Sequence, residues 1–156
     1  MSELTHKVLV APGFLPTEEE WEKRDKDAGP LGEELANLLA AALEARGWHV
    51  EYRWTTYEGH AFDARRKEQR YDVELTSLDT STTLSKEGPR PRELWQGRWV
   101  LTAKRRSGLF FRFWSKRYDA DEHALLRLHL DEALAGEAKV AAAGEWWAEA
   151  DFSTSV

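Results

Sequence analysis

The chain has no cysteine in its 156 residues. That removes disulfides, thiolate metal sites and a cysteine nucleophile together, so the fold must stand on packing alone. Long apolar runs are also missing. The amino terminus, MSELTHKVLVAPG, has no apolar h-region after a basic start, and nothing in the chain approaches the length that spans a bilayer. A soluble, cytoplasmic protein is the expectation. The five histidines fall at positions 6, 49, 60, 123 and 129, with no His-x3-His or His-Glu-x-x-His spacing, so they predict no metal site. There is no Gly-x-Ser-x-Gly elbow and no Gly-rich phosphate loop. The sequence therefore predicts a protein without catalytic machinery, cofactor or metal.

Tryptophan is abundant by contrast, at eight residues, and 42% of the chain is hydrophobic against 32% charged. These are globular proportions, and the length suits a single domain. The net charge of −6 is unevenly spread: residues 1–47 carry −5, residues 48–118 carry +6, and residues 119–156 carry −7. Such a split suits internal complementarity or a two-signed surface that steers a partner, and it permits a homodimer.

Periodicity supplies the architecture. Val8, Leu9 and Val10 before Pro12-Gly13 read as an edge strand. Thr17 and Glu20 form a capping-box pair for a short charged helix around Trp21. Residues 1–29 are thus a charged extension holding a short strand and helix, and residues 30–150 the core of one domain. Pro30 fits the first turn of a helix whose Leu31, Leu35, Leu38, Leu39, Ala42 and Leu43 make one stripe and which stops at Gly47. Trp48, Val50, Tyr52 and Trp54 then alternate with polar residues, predicting a strand with those four on its buried face. A hairpin follows over residues 60–76 with a polar turn at Lys67 to Arg70, and a second through residues 94–118 with a turn at Arg106-Ser107-Gly108. This second hairpin is apolar on both faces, so its far side needs a covering layer or a ligand. Asp119 and Glu122 cap a second long helix ending at Gly136, and a last strand lies near Val140 or Trp146-Trp147. The prediction is an α+β domain in which an antiparallel sheet of four to five strands carries two main helices on one face, in the order α-β-β-β-β-α-β.

Three functional readings compete. Asp63, Asp72 and Glu74 lie on neighbouring strands like the acids of a metal-dependent nuclease, but position 76, where that pattern needs lysine, is Thr. ARRKEQR and AKRRSG put basic clusters at hairpin tips beside aromatic strands, as a nucleic-acid binder would, although both helices are acidic. Trp95, Trp99, Phe110, Arg112 and Trp114 are the residue types favoured at protein interfaces, while the turn bearing Tyr57, His60 and Asp63 around Gly59 is a place where packing demands little. Tyr57, His60, Asp63, Trp95, Phe110, Arg112 and Trp114 are accordingly the candidate partner-binding residues. Most of the remaining tryptophans fit the interior.

The segments LEARGWHV, YEGHAFDAR, GRWVLTA, FFRFW and LLRLHLDEAL, in that order over roughly residues 30–150, resemble the small bacterial immunity-type domains of polymorphic-toxin systems. The resemblance implies a non-catalytic inhibitor that binds and neutralises a cognate toxin by covering its active site. It aligns the Gly59 to Asp63 turn and the Trp99 strand.

Overall fold

The structure, a computed structural model, describes residues 4–25, 27–84, 88–106 and 118–148. It is α+β, with helices laid on one face of an antiparallel sheet. The described strands are β1 (Leu4–Val10), β2 (His49–Thr55), β3 (Gly59–Arg66), β4 (Gln69–Ser77), β5 (Arg98–Arg105), β6 (Ala142–Ala143) and β7 (Trp147–Ala148). The helices are α1 (Glu18–Glu22), α2 (Glu33–Ala45) and α3 (Ala120–Ala135). Sheet order is β2-β3-β4-β5-β1-β6, with β7 also on β1. None of the described helices is long and apolar enough to cross a membrane.

The largest departure from expectation is β1. It is an interior strand, paired along its whole length with β5 and on its other side with β6 and β7. The amino-terminal segment is therefore part of the core sheet rather than an extension before it. Its alternation explains why: Thr5, Lys7 and Leu9 turn under the helices and are buried. Lys7 tolerates burial because its ammonium meets Asp131 of α3 at 2.5 Å and lies 5.5 Å from the centre of the Trp146 ring. The Trp146 indole donates to the same carboxylate at 2.8 Å, which ties the carboxy-terminal segment to the helix layer.

α2 starts later than Pro30 suggests. Gly32 is its N-cap at φ 106°, and a Cβ there would sit 2.9 Å from the Trp99 ring, so only glycine lets the helix end approach that indole. Leu35, Ala36, Leu39, Ala40 and Leu43 form its buried stripe. α3 is capped as expected: Asp119 accepts from the backbone N–H of Asp121 and Glu122. The Glu122 carboxylate, however, takes a two-oxygen contact from Arg66 of β3 at 2.7 and 2.8 Å. The first turn of α3 is thereby clamped to the sheet.

Between helices and sheet lies one core in which Leu9, Trp48, Phe62, Tyr71, Leu75, Trp99 and Leu101 meet Leu39, Leu43, Leu126 and Leu130. On the far face of the sheet, Leu78, Leu84 and Trp147 gather over Val8 and Val100 and leave a cavity of about 150 Å³. These side chains cover part of the far face of β5 around Val100. The residues after Arg106 lie outside the described ones, but the hairpin expected there is overturned, because β4 and β1 occupy both edges of β5.

A candidate partner-binding surface on the β2–β3 hairpin

The strict alternation expected for β2 fails at its midpoint. Val50 pairs with Ala64 and Glu51 with Asp63, but the next pairs are Trp54 with Ala61 and Thr55 with His60, so the register shifts between Glu51 and Trp54. Tyr52 adopts φ 50°, a left-handed conformation rare for an aromatic residue. The result is a β-bulge on an edge strand. Trp48 stays in the core, yet Tyr52 is 65% exposed and Trp54 shares the far face with Ala61. Arg53 turns toward α2, where it donates to Asn37 Oδ1 at 2.8 Å and lies 3.7 Å from the Glu44 carboxylate. The bulge also withholds β2 from continuous pairing with another strand, so a partner would meet its side chains rather than its backbone.

The turn that follows is held from both sides. Thr56 donates its N–H to the Gly59 carbonyl at 2.9 Å. Glu58 accepts from the Ser81 hydroxyl at 2.6 Å, the Thr82 amide at 2.6 Å, the Thr82 hydroxyl, and the Thr83 hydroxyl at 2.8 Å. Burial works against the ionised carboxylate, but these donors outweigh it and hold its pKa at about 2. Gly59 allows the close approach, since a Cβ there would fall 2.0 Å from the Leu75 carbonyl oxygen. His60 bonds through Nε2 to the Pro30 carbonyl at 2.7 Å. A carbonyl only accepts, so Nε2 carries the proton of this bond. Between two anchored neighbours, Tyr57 is 88% exposed.

Beside the hairpin, α2 and the two strands enclose a cleft of about 300 Å³, lined by Glu33, Ala36, Asn37, Arg53, Trp54 and His60 among others. Tyr57 and His60, expected from sequence, thus belong to one hairpin. Asp63 does not present itself to a partner: it is only 2% exposed, and Arg106 Nη1 lies 3.2 Å from its Oδ2. Burial raises its pKa against the pull of Arg106 and Arg70. Trp95 is half-buried away from the hairpin, edge-on to Trp21 at 4.9 Å, with its indole donating to the Arg90 carbonyl. Phe110, Arg112 and Trp114 lie outside the described residues. Tyr52, Arg53 and Glu58 are additions that periodicity hid. A non-glycine residue at positive φ has no sequence signature, and the partners of Glu58 come from a loop more than twenty positions away.

The acid cluster of the nuclease reading assembles without the geometry of a metal site. Asp63 and Asp72 are register partners, and Arg106 spans them, with Nε 3.0 Å and Nη2 2.7 Å from Asp72. No group of three or more His, Asp or Glu among the described residues could hold a metal ion. Burial raises the Glu74 carboxyl, with Asp72 adding to the effect.

No protein-family model matches the chain, and neither curated proteins nor solved structures gave a match. The functional reading therefore rests on the geometry and chemistry of the surface itself.

Proposed function

We propose that this chain is a non-catalytic protein-binding domain that acts by forming a stoichiometric complex through the β2–β3 hairpin. The observation that carries the reading is a tyrosine 88% exposed on a turn whose neighbour Glu58 takes four hydrogen bonds from residues 81–83. An exposed aromatic on a mobile loop would lose entropy on binding, whereas one on an anchored turn has been ordered in advance. Tyr52 on the adjoining bulge and Arg53 beside it complete a surface of the residue types that dominate binding hot spots. Together with the sequence resemblance to immunity-type domains, this makes a bacterial toxin the expected partner, occlusion of the toxin the mode of action, and the cytoplasm the place where it happens.

Basic hairpin tips would favour nucleic acid only if their charges were free to meet phosphates. Here Arg66 is clamped to Glu122, Lys67 Nζ lies 3.8 Å from the same carboxylate, Arg105 is buried and Arg106 spans Asp63 and Asp72. The deciding experiment is calorimetric titration of the chain against the product of the neighbouring gene, with light scattering to set stoichiometry. A 1:1 complex that the Tyr52→Ala/Tyr57→Ala double variant weakens about a hundredfold is expected. Absence of a complex, or a complex indifferent to both tyrosines, rules the reading out.

A further inference from the structure

On the face of the sheet away from the helices, Val8, Leu78, Leu84 and Val100 meet the His6 and Trp147 rings around a pocket of about 150 Å³. Its walls are fixed by the backbone. Val8 and Val100 are register partners in the β1–β5 ladder, and His6 and Trp147 are register partners between β1 and β7. Leu78 donates its N–H to the Arg98 carbonyl at 2.9 Å. Leu84 donates its N–H to Ser81 Oγ at 2.9 Å, and that hydroxyl donates in turn to Glu58 at 2.6 Å. A gap framed in this way does not close by side-chain rotation, because the segments that hold it open are tied to one another. Water gains little there: four of the six described lining residues are Val or Leu, and His6 Nδ1 already meets Thr102 Oγ1 at 2.9 Å.

Size and polarity together select the occupant. A helix, a strand or a nucleotide-sized cofactor is too large for about 150 Å³, whereas an apolar cavity of that volume holds one molecule of the size of benzene. An ion is disfavoured by the cost of burying charge against aliphatic walls. Of the described lining residues only Leu84 is exposed, at 38%, so an occupant enters past one side chain and is then largely enclosed. Enclosure favours a free molecule over a ring carried on a partner's backbone, which would have to hold the mouth open. We propose that this pocket is a binding site for a small, uncharged, apolar molecule about the size of benzene. The site stands on its own walls and does not depend on the reading of the hairpin as the partner surface.

The test uses the full chain with ¹³C-labelled Val and Leu methyl groups, titrated separately with toluene, benzoate and N-acetyl-phenylalanine amide. Toluene is expected to move the methyl resonances of Val8, Leu78, Leu84 and Val100 saturably, with a Kd on the order of a millimolar. Benzoate, the same ring bearing a charge, and the amide, the same ring on a backbone, should leave them in place at the concentration where toluene saturates. Leu84→Trp, at the exposed mouth, should weaken toluene at least about tenfold, and Val8→Leu, which fills the pocket from β1, should weaken it as well. Leu128→Trp, at a 51% exposed position of α3 on the other side of the sheet, should leave it within about twofold. Failure of toluene to saturate, benzoate binding as tightly as toluene, or toluene binding that neither Leu84→Trp nor Val8→Leu weakens overturns the proposal. Tighter binding of the amide than of toluene overturns it too, by making the pocket a socket for a partner's side chain.

Discussion

Trp99 lies in the sheet and Tyr57 on the turn joining two of its strands, the first fully buried and the second almost fully exposed. The interior set has its polar atoms largely accounted for by fixed partners: the Trp99 indole donates to the Ala11 carbonyl at 3.2 Å and the Trp48 indole to His129 Nδ1 at 2.9 Å. Tyr71 is the exception, its hydroxyl buried without a hydrogen-bond partner and its pKa pushed up by burial. The edge set, Tyr52 and Tyr57, leaves most of its surface exposed. Residue type does not separate the two sets. Backbone geometry does, through regular register in β4 and β5 and through a bulge and an anchored turn in β2 and β3.

If that contrast is right, the interior should fail through stability and the edge through binding. The largest effect is expected at Trp99. Replacing it with Ala empties the space against which Gly32 and α2 are set, and unfolding in denaturant should show a loss of about 3–5 kcal/mol. A loss below about 1 kcal/mol would mean that this indole does not organise the core.

Next comes His123, which is fully buried in α3 between Thr5 at 3.2 Å from Nε2 and the Tyr118 hydroxyl at 2.7 Å from Nδ1. The Thr5 hydroxyl is itself given to the Ala103 carbonyl, so it accepts from Nε2–H and leaves Nδ1 to accept from Tyr118. Both bonds suit the neutral ring. Burial, helped by Arg127, lowers its pKa to about 4. The unfolded chain takes up a proton near 6.5 while the folded one stays neutral until about 4, so stability falls as pH drops through that window and levels off below it. The size is roughly 3 kcal/mol. Asp63 and Glu74, raised by burial, titrate with the opposite sign, so the proper readout is the pH profile of the native chain minus that of His123→Gln. Parallel profiles between pH 6.5 and 4 would show that His123 is not held neutral.

The two regions also differ in how readable they were. Both long helices, the capping pair at Thr17 and Glu20, and the burial of Leu35, Leu39, Leu126 and Leu130 follow from residue spacing because helical periodicity is a local property. The interior position of β1 depends on pairing with β5 some ninety positions away, which no local pattern encodes. Period-two alternation correctly buried Trp48 and then misplaced Tyr52 and Trp54, because one extra residue in a bulge inverts every face after it. Tyr57 and His60 were legible as members of a turn. Asp63 was not legible as a buried partner of Arg106, since its burial comes from the neighbouring strand and from a guanidinium supplied beyond the end of β5.

A smaller stability effect is expected where the two regions meet, at Glu58. Glu58→Gln keeps the shape but removes the charge that four donors converge on, and should lower stability by about 1–2 kcal/mol. It should also speed exchange of the Thr56 amide, whose N–H donates to the Gly59 carbonyl and closes the turn. Because Glu58 is pulled down to about 2, its contribution is lost only as pH falls from the ordinary carboxyl range toward that value. Unchanged exchange at the turn would mean that Tyr57 is not held in place by this residue.

The smallest stability effect belongs to Tyr57 itself. With 88% of its surface exposed, Tyr57→Ala should shift unfolding by no more than about 0.5 kcal/mol. If the turn is a presenting device, the same substitution should cost the complex about 2 kcal/mol, and Glu58→Gln should cost part of that through faster dissociation even where it touches no partner atom. The informative quantity is the ratio between the two losses in each variant. A tyrosine that costs binding and not stability, beside a glutamate that costs both, is the pattern of an anchored hot spot. Equal losses in both measurements for Tyr57 would return it to the interior set, as one more aromatic that packs rather than recognises.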